Sequence, residues 1–155
     1  MKKVVFVAGG VGINPFMSML SCISEHVSPK FKVEVLYSLR DPGMGRKVEE
    51  MLFIERIGTI LRKLNSESST LESLRLFLTK GAGKVGVLEG KEFQTKFEGR
   101  RIEENDLLKA LGPVKERSGT VVYICGPPGM TDELVNVAKK AEGMEERHVL
   151  CEKWW

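Results

Sequence analysis

A chain of 155 residues, 42% hydrophobic and 29% charged, is long enough for a single globular domain with a buried core. Its net charge of +3 is carried by basic residues interleaved with acids, as in Arg46-Lys47-Val48-Glu49-Glu50 and Lys139-Lys140-Ala141-Glu142, which argues against a nucleic-acid track and leaves small anions as ligands. Three cysteines without a close pair (Cys22, Cys125, Cys151) argue against a disulfide framework and for a reducing compartment, cytoplasm or mitochondrial matrix.

Two distant histidines, His26 and His148, and the absence of a CxxC pair supply no metal motif, and no apolar run approaches the ~20 residues of a membrane span. Lys2-Lys3 precede an apolar run, but that run ends in glycines without a cleavage pattern. A strand so near the first residue is expected to belong to a longer chain.

Val4 to Ala8 is a continuous apolar run, the pattern of a strand covered on both faces. Gly9-Gly10-Val11-Gly12 follows as a tight turn, and Asn14 and Pro15 read as the cap and first position of a helix that uses Phe16, Met19, Leu20 and Ile23 and ends near Val27-Ser28-Pro29. A second strand is expected over 31–38, a loop over 41–45, and an amphipathic helix from Val48 to Leu64 through Met51, Leu52, Ile54, Ile57 and Leu61. Leucines alternating over 71–79 indicate a third strand. The glycine- and lysine-rich stretch 80–101 has no clear period and reads as a surface excursion. A short helix over 103–111 stops at Gly112-Pro113, a fourth strand spans Thr120 to Cys125, and Gly126-Pro127-Pro128-Gly129 turns into a helix from Thr131 to Ala141. A last short strand covers 148–151. Strands alternating with helices imply an α/β fold, a doubly wound five-stranded parallel sheet with helices on both faces.

In such a sheet ligands sit beyond the carboxyl ends of the strands. Three stretches reach that edge: Gly9 to Gly12, Ser38-Leu39-Arg40, and Cys125 to Gly129. The glycine turn followed by a helix N-terminus is a ready phosphate site, although the frame GxGxxG fails at its third glycine, and a turn without ligand is the alternative. Ser38 and Arg40 stand where an acid would bind a ribose 2′-hydroxyl. They suit a 2′-phosphate, the alternative being an exposed Arg40 paired with Asp41. The prolines after Cys125 stiffen its turn. Cys125 is either a small buried hydrophobe or a group at the ligand edge.

Gly9-Gly10-Val11-Gly12-Ile13-Asn14-Pro15, Tyr37-Ser38-Leu39-Arg40, Gly99-Arg100-Arg101-Ile102, Cys125-Gly126-Pro127-Pro128-Gly129-Met130-Thr131 and Glu152-Lys153-Trp154 resemble, in order, the motifs of the ferredoxin-NADP reductase superfamily in its nucleotide-binding domain. The resemblance implies strand order 3-2-1-4-5, with residues 1–155 forming one NAD(P)-binding domain, the C-terminal part of a longer flavoprotein reductase. Such domains hold NAD(P)H for hydride transfer to FAD or FMN bound by a preceding β-barrel. By that resemblance Gly10, Val11 and Gly12 approach the pyrophosphate, and Gly9, Asn14, Pro15 and Pro128 complete the cofactor-binding motifs. Ser38 and Arg40 lie at the adenosine ribose, and Gly126, Pro127 and Met130 line the nicotinamide side. Cys125 and Glu152 flank the reacting carbon, and Trp154 covers the flavin. The family's flavin motif, Arg-x-Tyr-Ser/Thr, is absent: Leu36-Tyr37-Ser38 lacks the arginine. The barrel is absent too, and neither the electron acceptor nor the choice between NAD and NADP is legible. A non-catalytic NAD(P)-sensing or partner-binding module is the alternative function, and a doubly wound domain for another nucleotide or adenosyl ligand is a third.

Overall fold

The computed structural model describes residues 1–26, 30–81 and 83–153. Strand β1 (Lys3–Gly9) lies in the interior of the sheet, flanked in parallel by β2 (Lys32–Arg40) and β6 (Thr120–Cys125). A strand in that position is covered on both faces, which is why Val5, Phe6, Val7 and Ala8 are all buried in succession. Alternate side chains feed two cores. Phe6, Val35, Tyr37, Leu74 and Leu76 pack beneath α1 (Asn14–His26) and α2 (Ile54–Leu64). Val5, Val7, Leu36, Phe77, Val122 and Ile124 pack beneath α3 (Glu104–Leu111) and α4 (Pro128–Lys140). Tyr37 is fully buried, its hydroxyl has no hydrogen-bond partner among the described residues, and burial pushes its pKa up.

Among the described residues the sheet has seven strands, not the expected five, and its order, β4-β5-β3-β2-β1-β6-β7, differs from 3-2-1-4-5. Beyond β3 (Thr70–Thr79) lies a hairpin made from the stretch read as a surface excursion: β4 (Val85–Glu89) and β5 (Gln94–Glu98). The β4–β5 pair is antiparallel, so the sheet is mixed, while β5 runs parallel to β3 and β7 (Val149–Glu152) parallel to β6. Two of the glycines that made this stretch look loop-like are seats for aromatic rings. A Cβ at Gly86 would overlap the ring of Phe97, and one at Gly90 or at Gly58 in α2 would overlap that of Phe93. Phe93 and Phe97 thereby join the α2-side core, and Thr95 Oγ1, fully buried, donates to the Leu74 carbonyl at 2.7 Å.

Three helix boundaries also move. Asn14 has helical angles (φ −55°, ψ −51°), because a 3₁₀ turn over Gly10–Ile13 already leads into α1, so it is no cap. The expected helix from Val48 splits into a 3₁₀ turn (Val48–Glu50) and α2, because Phe53 is left-handed (φ 61°), leaving Leu52 exposed. Helix α4 starts at Pro128, with Pro127 at its N-cap position, three residues before the expected Thr131. The expected end of the first helix, Val27-Ser28-Pro29, lies outside the described residues.

Candidate functional site

The parallel register brings the carboxyl ends of four strands level: Gly9 pairs with Ser38, Ala8 with Cys125, and Cys125 with Glu152. Two cavities open along this edge, one on each side of Pro127.

The first, of about 360 Å³, is lined by Gly9, Gly10, Val11, Gly12, Cys125, Gly126, Pro127 and Glu152. Its walls are mainly backbone. A Cβ on Gly12 would overlap the Cys125 carbonyl, one on Gly9 would lie 2.7 Å from Pro127 Cδ, and one on Gly126 would run into Met130 Cε. Gly10 is left-handed (φ 54°) with open space around its α-carbon. These glycines let two helix starts converge. Gly9 and Pro127, the caps of the 3₁₀–α1 stretch and of α4, make no side-chain capping bond. The first-turn N–H groups of Gly10 and Val11, and of Gly129 and Met130 in α4, therefore lack intrahelical partners. Two positive dipole ends point to one edge, an arrangement suited to a phosphate. Thr131 steadies the second start, its hydroxyl donating to the Gly126 carbonyl at 3.1 Å.

Cys125 is 2% exposed, and burial followed by the neighbouring charges of Glu152 and Cys151 pushes its thiol up. A thiol so held stays neutral near pH 7 and offers shape and polarizability, not a thiolate.

The second cavity, of about 570 Å³, is lined by side chains: Ser38 from β2, Thr79 and Lys80 at the end of β3, Arg100, Arg101 and Ile102 after β5, and Pro127, Met130 and Glu133 of the α4 region. Arg100 is fully engaged. It donates to Asp106 at 2.6 and 2.9 Å, to Glu98 at 2.5 Å and to the Arg101 carbonyl at 2.9 Å. Arg75 joins from β3 with bonds of 2.7 Å to Asp106 and 3.0 Å to Glu98, and both guanidinium groups lie 5.2 Å from the Phe77 ring centroid. Burial alone would raise the Asp106 carboxyl. Hydrogen bonds from Arg100, the Glu103 N–H and Arg75 outweigh it and hold that pKa far below the ordinary carboxylate range.

Of the residues picked from sequence, Gly9 to Gly12, Cys125, Gly126, Pro127 and Glu152 meet in the first cavity, and Ser38, Pro127 and Met130 in the second. Asn14, Pro15, Pro128 and Arg40 line neither. Arg40 is exposed at the end of β2 and is not paired with Asp41, which instead holds Arg46 at 2.7 and 2.9 Å. Trp154 lies outside the described residues. Lys80 and Arg101 were missed as site residues. Lys80 follows β3 at the same carboxyl edge as the ends of β1, β2 and β6, and Arg101 lies within Gly99-Arg100-Arg101-Ile102. Among the described residues no group of three His, Cys, Asp or Glu side chains could hold a metal ion, and no helix is long and apolar enough to cross a membrane.

Residues 6–136 match the family model described as oxidoreductase NAD-binding domain. Oxidoreductase NAD-binding domain-containing protein 1 of Bos taurus is 26% identical over 168 residues, which take in 99% of this chain and 46% of that protein. NADH-cytochrome b5 reductase 2 of Emericella nidulans is 27% identical over 129 residues, 83% of this chain and 34% of the relative. The chain thus spans less than half the length of these curated relatives. In fold it is similar to the cytochrome b5 reductase domain of Ulva prolifera nitrate reductase, with a TM-score of 0.60 at 16% identity over 98% of this chain and 50% of that one.

Proposed function

The chain belongs to the oxidoreductase NAD-binding domain family, and on that footing we propose that it is the pyridine-nucleotide half of a flavin-dependent oxidoreductase, holding NADH or NADPH for hydride transfer to FAD or FMN on a preceding domain. One observation carries this reading: two uncapped helix starts converge on the strand edge that also presents Cys125 and Glu152. The bound dinucleotide supplies the hydride, and the protein supplies position and electrostatics. The N–H groups of Gly10 and Val11, with those at the start of α4, hold the pyrophosphate, which Gly12 lets approach the backbone. Ser38 lies toward the adenosine ribose, while Gly126, Pro127 and Met130 bound the nicotinamide side. The neutral Cys125 thiol packs against the ring and takes no proton. A carboxylate at Glu152 favours positive charge developing beside it.

Isothermal titration of the chain with NADH and with NADPH tests this reading. It predicts saturable one-site binding of at least one of them and no nucleotide oxidation until a flavin-bearing domain is supplied. Absence of binding by both nucleotides contradicts it.

A further inference from the structure

The cavity beyond Pro127 carries more positive charge than the ribose of a dinucleotide needs. Three cations line it, and they are not equivalent. Arg100 is neutralised by Asp106 and Glu98, and its bond to the Arg101 carbonyl fixes the backbone that carries the next side chain. Arg101 and Lys80 are exposed, and among the described residues neither makes an ion pair or a side-chain hydrogen bond. Lys80 leaves β3 in a left-handed conformation (φ 56°), one residue past Thr79, whose partner in the sheet is Arg40. Among the described residues Glu133 is the single acid in the lining, so two uncompensated cations face one carboxylate. Ser38 lies in the same wall, whereas Arg40 lines neither cavity.

Resting on the dinucleotide reading above, the geometry points to Lys80 and Arg101, not Arg40, as the residues that read the adenosine 2′-phosphate, which makes NADPH the preferred nucleotide. A phosphomonoester dianion gains two charge-assisted contacts there, and Arg101 can offer parallel N–H donors. Both cations are solvated when the cavity is empty, so a ribose with a plain 2′-hydroxyl loses nothing by binding. Selectivity on this design comes from added attraction for NADPH, with NADH still accepted.

The test compares adenosine 2′,5′-bisphosphate with adenosine 5′-monophosphate by isothermal titration. It uses the wild-type chain, a Lys80→Gln/Arg101→Gln double variant, and Arg40→Gln. All three substituted side chains are exposed, so the fold is expected to persist, and far-ultraviolet circular dichroism checks that it does. The wild type binds the bisphosphate more tightly. The double variant loses affinity for the bisphosphate by about 10-fold or more while the monophosphate is unaffected, as expected for lost bonds to a charged group. Arg40→Gln leaves the ratio unchanged. An unaltered ratio in the double variant, an equal loss for both ligands, or a loss produced by Arg40→Gln instead overturns the proposal. A wild-type chain that binds NADH and NADPH with no preference for the bisphosphate fails this inference alone, and one that binds no adenosine ligand fails the dinucleotide reading with it.

Discussion

The two cavities on either side of Pro127 are built on different principles. The glycine-walled cleft takes its shape from backbone: Gly9, Gly12 and Gly126 sit where a Cβ does not fit, and Cys125 closes it as a buried neutral thiol. The cavity beside Lys80 and Arg101 takes its shape from side chains, held by Arg75, Glu98, Arg100 and Asp106, which come from three separate parts of the chain. A backbone-built wall is rigid and tolerates almost no substitution. A side-chain-built wall tolerates change at its exposed cations but depends on its buried centre.

The largest effect is expected at that centre. Asp106, with its side chain 4% exposed, accepts from two arginines and from the Glu103 N–H, so Asp106→Ala leaves both guanidinium groups short of a partner and α3 without half of its capping box. Breaking a buried pair by removing one member costs about 3 kcal/mol or more, which urea unfolding would register. The pH dependence has a definite sign. Because the folded Asp106 pKa is depressed, its stabilisation is fully present above the unfolded carboxylate value of about 3.9 and is lost as pH falls through that value and below. The acid limb of a stability–pH curve should therefore flatten in Asp106→Asn.

An intermediate effect separates two glycines of the same edge. Gly12→Ala drives a methyl group into the Cys125 carbonyl, backbone that cannot swing aside, and should destabilise by about 1–3 kcal/mol. At Gly129, in the first turn of α4, nothing lies within 4 Å of an added Cβ. Gly129→Ala should be neutral or stabilise by about 0.4–1 kcal/mol. Equal thermal shifts for the two would mean that the cleft wall is not the tight contact described.

The smallest effect is chemical. Cys22 and Cys151 are exposed and Cys125 is buried with its pKa raised. A disulfide reagent at neutral pH should titrate two thiols rapidly and the third only on unfolding. Three fast thiols would contradict the buried, neutral Cys125.

This contrast also explains what could be read from sequence. The first cleft was legible because its parts are local: a doubly buried apolar strand, glycines forced by close approach, and prolines at the start of a helix. The second was not, since Lys80, Arg101 and their supports meet only through the β4–β5 hairpin. That hairpin was hidden for a physical reason. Val85 and Val87 are exposed on an edge strand, and Gly86 and Gly90 serve as seats for rings, so neither the period nor the composition resembles a strand. Arg40 shows the converse. It has the chemistry for a phosphate and the right strand, but it sits at the strand end outside both cavities.

The measurement that bears most directly on the nucleotide site is backbone amide NMR of the chain titrated with NADPH and with NADH. The predicted result is a set of saturable shifts at Gly10, Val11 and Gly12 and at Gly126, Gly129 and Met130 with either nucleotide, with additional shifts at Lys80 and Arg101 only with NADPH. Shifts confined to other surfaces, or no shifts at saturating nucleotide, would contradict the placement of the dinucleotide along this edge.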